Sequence, residues 1–189
     1  MHTLSPSLTT LIRTEHSAVW FAFHRFKVDA SVERKSAIAK TICAALETHA
    51  QLENEILYPA ARTLSGDALM DETILPQTDE VLQRIAGLRA QPPGTPAWDQ
   101  AFLDLLREAL HHVADEETTL LPALDRGLGG ELEELGARWV KRRLELTSNA
   151  AGEVLGHPPR RARQTAFWLG AATVLGALWA GSAARGRGR

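Results

Sequence analysis

Two stretches limit what this chain can fold into more than any other: 49-HAQLENEILYP-59 and 112-HVADEETTLLP-122. They set histidine, glutamate and proline at the same offsets inside two runs of helical hydrophobic period. The first run carries Ile38, Ile42, Ala45, His49, Leu52 and Ile56 on one stripe, and the second carries Phe102, Leu105, Ala109, His112, Glu116 and Leu120. An i, i+4 pair projects from one helical face, so His49 with Glu53, and His112 with Glu116, are two preassembled imidazole–carboxylate pairs aimed where a core should be. A buried glutamate without a counter-charge is costly, and two on facing stripes repel. A bound cation removes that cost. Imidazole with carboxylate suits iron, zinc or manganese, and carboxylates can bridge two such ions.

The rest of the chain supplies the other sides of a bundle. From about Ser7 to Phe26, Leu8, Ile12, His16, Val19 and Phe23 share a stripe, with Ser5 or Ser7 as N-cap. Pro59 is expected to end the second helix. A third run aligns Leu75, Thr78, Val81 or Leu82, Ile85 and Leu88, and 91-QPPGTP-96 breaks it from the fourth. No segment alternates like a strand. Short connections imply an all-α, up-down-up-down four-helix bundle over 1–128. An additional helix or connector follows over 129–158, then a basic-flanked hydrophobic tail over 159–189.

Depth along the helices groups the polar positions. His16 and His49 lie at comparable distances from the turn near Ala30, and Thr78 and His112 are similarly disposed about Pro92 to Pro96, so all four can share one layer. His24 cannot, being about 12 Å further along the axis and about 80° round from His16. His2, His24, His111 and His157 read as surface or ordinary core residues. Glu55 and Glu117 lie off the central angle, as outer partners or solvated groups, and Trp20 and Phe21 read as ordinary packing residues.

With 189 residues the chain has room for one main core and an appendage. A net charge of −2 gives no bulk reason to expect a nucleic-acid partner. The single cysteine, Cys43, cannot form an internal disulfide, which fits a reducing compartment and a bundle facing the cytoplasm. In the tail, residues 166–184 form an uncharged run that as a helix would be about 28 Å long, close to a bilayer's hydrocarbon thickness. Trp168 and Trp179 stand towards its ends and arginines flank it, so it is expected to anchor the chain as a C-terminal transmembrane helix.

At 15-EHSAV-19, 49-HAQLENEILYP-59 and 112-HVADEETTLLP-122 the chain resembles the hemerythrin-like family, or HHE cation-binding domain, over roughly residues 8 to 125. The resemblance implies a non-haem di-iron centre with His16, His49, Glu53, His112 and Glu116 as ligands and the two glutamates bridging. It also shows a departure: aligning 77-QTDEV-81 with 15-EHSAV-19 puts Thr78 where a histidine is expected, with Asp79 about 100° away. The second iron position is then open, filled by water, or too weak to hold an ion, and a one-iron site is the alternative. The implied roles are binding or sensing of O2 or NO, or iron handling. Peroxide decomposition or iron-centre repair is the enzymatic alternative, and a scaffold with a purely structural metal the third.

Overall fold

Three side chains set where the long helices begin. In the computed structural model, which describes residues 6–65 and 74–154, the Ser7 hydroxyl accepts the Thr10 N–H (3.3 Å), Ser31 accepts that of Arg34 (3.4 Å) and Thr95 that of Trp98 (3.2 Å). They start α1 (Leu8–Phe23), α2 (Val32–Leu52) and α5 (Pro96–Asp115), the last with proline in its first turn. The remaining α-helices are α3 (Tyr58–Ser65), α4 (Leu75–Arg89), α6 (Leu121–Gly127) and α7 (Glu131–Val154). Two π-helical turns, π1 (Glu53–Leu57) and π2 (Glu116–Leu120), join α2 to α3 and α5 to α6. The regular structure among the described residues is all helical, without a strand.

Pro59 does not end the second helix. The Tyr58 N–H reaches back five residues to the Glu53 carbonyl, and the helix runs on through Pro59 to Ser65. The Leu121 N–H does the same to Glu116 ahead of Pro122. Proline breaks an α-helix because it lacks a donor and its ring strikes the carbonyl four residues back. A wide turn just before it already redirects those carbonyls, so the helix bends through.

Chain contacts divide into two units, 1–146 and 147–189. The core of the first unit is two apolar clusters. One gathers Leu8, Ile12, Leu52, Ile74, Leu120 and Trp139, and the other Phe23, Ile42, Leu46, Val81, Ala109 and Phe102. α1, α2 and α4 each pass from one cluster to the other, as α5 does when continued through π2, and the direction reverses from α1 to α2, from α2 to α4 and from α4 to α5. The switch falls at His16, His49, Thr78 and His112, all buried. The shared level inferred from loop positions is therefore a polar layer between two apolar ones.

Trp20 and Phe21 do not pack in the core. They are 47% and 70% exposed, because α1 turns that face outward past His16, and Trp20 stacks edge-on with His24. Among the described residues no helix is long and apolar enough to cross a membrane. The expected anchor at 166–184 lies outside them, as do His2 and His157.

Candidate metal centre

Four of the five candidate ligands converge on one point. Side-chain donor atoms of His16, His49, Glu53 and Glu116 all lie within 4.8 Å of one another, from α1, α2, π1 and π2. The Nε2 atoms of His16 and His49 face each other at 3.1 Å, a contact that one shared proton can satisfy only once. His49 Nε2 is 2.7 Å from Glu53 Oε1, and His16 Nε2 is 3.3 Å from Glu116 Oε2. Neither carboxylate oxygen has a well-aligned hydrogen-bond partner, although both are buried. Two imidazole nitrogens and two carboxylate oxygens gathered this closely are the donor set a cation completes.

The outer nitrogens of these two rings are fixed. His16 Nδ1–H donates to Glu117 Oε1 (2.9 Å), and His49 Nδ1–H donates to Glu15 Oε2 (2.9 Å). That turns both Nε2 atoms inward, the orientation that metal-binding histidines require, and His49 offers its lone pair there once its inner proton is displaced by an ion. Glu117 thus takes the outer-partner role, whereas Glu55 faces away to Arg142 (2.6 Å).

His112 stands on the other side of the carboxylates, 3.5 Å from Glu53 Oε2 and 3.7 Å from Glu116 Oε1. Neither of its ring nitrogens has a hydrogen-bond partner. Thr78 is inward and buried, as its stripe predicts, while Asp79 is exposed. The space beside Thr78 is taken by a residue the helical period did not single out. The Tyr58 hydroxyl lies 2.8 Å from Thr78 Oγ1, donates to Glu53 Oε2 at 3.1 Å and reaches Glu116 Oε1 at 3.4 Å. A phenol and an alcohol therefore occupy the corner where histidine is expected.

Electrostatics separates the two glutamates. Burial raises Glu116, the neighbouring Glu53 charge raises it further, and its carboxyl is pushed up to about 8. Burial would also raise Glu53, but the charges of His49 and, less strongly, His112 outweigh it and hold this carboxyl well below the usual range. Burial would lower His49, yet Glu53 and Glu15 overcome it and hold the imidazole well above its ordinary value. His112 is raised because Glu116 and Glu53 outweigh burial, and His16 is lowered by burial and by the His49 charge. Burial, with both carboxylates nearby, keeps the Tyr58 phenol strongly protonated. Without a cation the centre is thus a Glu53–His49 ion pair beside a neutral Glu116.

Comparison with known proteins agrees with this helical fold. A crystal structure of a hemerythrin HHE cation-binding-domain-containing protein from Mycobacterium kansasii superposes with a TM-score of 0.68 at 18% identity, covering 80% of this chain and 93% of that one. A protein named DNA nickase from Nostoc sp. is 25% identical over 135 residues, which are 71% of this chain and 38% of that protein. This chain therefore spans well under half the length of that curated relative. The family described as the hemerythrin HHE cation binding domain matches residues 7–124. A match over more than half its length, with the helical fold and the buried histidine–glutamate cluster, means that this chain belongs to the hemerythrin HHE cation-binding-domain family.

Proposed function

We propose that the protein is a non-haem iron protein that binds O2, NO or peroxide. The observation that carries this is the buried convergence of His16, His49, Glu53 and Glu116 with two carboxylate oxygens left unpartnered. These four residues would hold one iron. Glu53 and Glu116 also face His112, which with Tyr58 and Thr78 lines the second position. Iron bound there supplies Lewis acidity and a one-electron couple towards small diatomic or peroxide ligands.

The chain's own contribution is to orient and to exclude water. Glu15 and Glu117 fix the two imidazoles, and every inward group of the centre is buried. Tyr58 Oη holds a proton beside both carboxylates and can direct it in a hydrogen bond towards a small ligand bound there. That hydroxyl favours peroxide decomposition as the second reading: Tyr58→Phe should lower peroxide turnover with iron content unchanged, and equal turnover would remove it.

The test of the main reading is anaerobic reconstitution of the purified protein with Fe(II), followed by exposure to O2 or NO. At least one iron per chain and a ligand-dependent change in the optical spectrum are expected. Less than one iron per chain overturns the reading. The uncharged run 166–184 supports a membrane tether as part of the proposal, because its length as a helix, about 28 Å, suits a bilayer. Truncation before residue 159 should release the protein from the membrane fraction, and an unchanged distribution would rule the tether out.

A further inference from the structure

Helix α7 lies beyond the family-matched residues 7–124, yet it reaches the candidate centre. The Trp139 indole N–H donates to Glu15 Oε1 at 2.8 Å, and the Arg143 guanidinium pairs with the same oxygen. The other oxygen of that carboxylate, Oε2, accepts the His49 Nδ1–H. Trp139 is fully buried, and its ring meets the His49 ring edge-on with centroids 5.7 Å apart. One helix therefore grips Glu15 twice and braces the imidazole that Glu15 orients.

The docking of α7 is built rather than incidental. A Cβ on Gly136 would sit 2.2 Å from the Pro6 carbonyl oxygen, so the helix approaches the start of α1 as closely as only glycine permits. Further along, Arg142 forks onto both oxygens of Glu55 in π1. Among the described residues the other inner histidine, His16, has no such bracing, its Nδ1 being held by Glu117. Contacts from outside the matched residues thus favour His49.

We infer that Trp139 and Arg143 of α7 are positioning residues of the metal centre, acting through Glu15 to hold the His49 ring with its inner nitrogen turned to the ion. Outer carboxylates fix the tautomer and the basicity of a ligating imidazole, and their loss commonly weakens metal binding ten- to a hundredfold. This inference rests on the metal-binding reading above.

The test uses the full chain with Zn(II), a diamagnetic probe, and measures affinity by chelator competition together with the histidine ring protons by NMR on 15N-histidine-labelled protein. His49→Ala should lose the tight site. Glu15→Gln, Trp139→Phe and Arg143→Gln should each weaken Zn(II) binding about ten- to a hundredfold. The His49 Nδ1–H line should vanish in the first and shift in the other two, with the His16 line unmoved. Arg143→Lys should restore most of the affinity. If His49→Ala loses the site while the α7 variants bind like wild type with an unshifted His49 line, the inference is wrong and the metal reading stands. If His49→Ala binds Zn(II) like wild type, both fall. Should Trp139→Phe fail to fold by circular dichroism, the half-buried Arg143 carries the decision through Arg143→Gln and its lysine rescue.

Discussion

Loading the centre with a divalent ion should expel protons, and their number follows from which groups hold them. At pH 7 Glu116, pushed to about 8 by burial and by Glu53, is mostly protonated. His49 is held well above its ordinary value and carries two ring protons, so its inner nitrogen has no free lone pair. Glu53 is already ionised and His16 is lowered, so neither has a proton to give. Binding one ion through these four groups therefore releases about two protons, and the association constant rises roughly a hundredfold per pH unit, about 2.7 kcal/mol at 1.36 per proton. The sign is fixed: affinity climbs with pH, and the Glu116 share ends once pH passes about 8. Two assays check it over pH 6.5 to 7.5: Zn(II) affinity by chelator competition, and calorimetry in buffers of different ionisation enthalpy, which counts protons directly. Glu116→Gln should lower the slope towards one. A slope below one in wild type would refute the charge assignment.

The same carboxyl makes the metal-free protein less stable as pH rises. A glutamate raised in the folded state contributes most when protonated, and that contribution is lost between its ordinary value and about 8. Glu116→Gln should then stabilise the chelator-stripped protein at pH 7 by up to about 3 kcal/mol, a few degrees in Tm per kcal/mol, with little gain at pH 4.5. Equal gains at both pH values would contradict the assignment. At the far end of the bundle Lys35 Nζ lies 2.6 Å from Asp99 Oδ2, both residues being buried. Lys35→Met should cost about 3–5 kcal/mol in urea unfolding by stranding that carboxylate, and adding Asp99→Leu should recover most of it. A single variant as stable as wild type would show the pair to be dispensable.

How far the centre was legible depended on which period each residue obeyed. His16, His49, Thr78 and His112 lie on plain α-helical stripes, and each marks the crossing between the two apolar clusters, so spacing alone put them at one level. Glu53 and Glu116 open the π turns and still keep the i, i+4 relation to their histidines. Glu15 could not be read this way. Its partners are His49, 34 residues on, and Trp139, 124 residues on, so nothing in its local sequence points to either. Trp20 and Phe21 failed for the opposite reason, because apolar character says nothing about exposure at the edge of a stripe.

Tyr58 shows what the wide turns achieve. Five residues at about 100° each would leave it roughly 140° round from Glu53 on an α-helix, away from the centre. A turn that closes after five residues instead of four brings it back to nearly the same direction. It is buried, bonded to Glu53 and Thr78, and its counterpart in the second half, Leu121, is buried too. Both prolines follow immediately, at 59 and 122, where an undistorted α-helix would resist them. The duplicated proline thus marks a register shift rather than a helix end. That shift lets the two halves differ at one inward position: a hydroxyl enters the centre in the first and a methyl-bearing side chain packs into the core in the second. The missing histidine at Thr78 and the inward phenol at Tyr58 are then two sides of one arrangement, since the threonine is small enough to leave the corner to the ring that fills it.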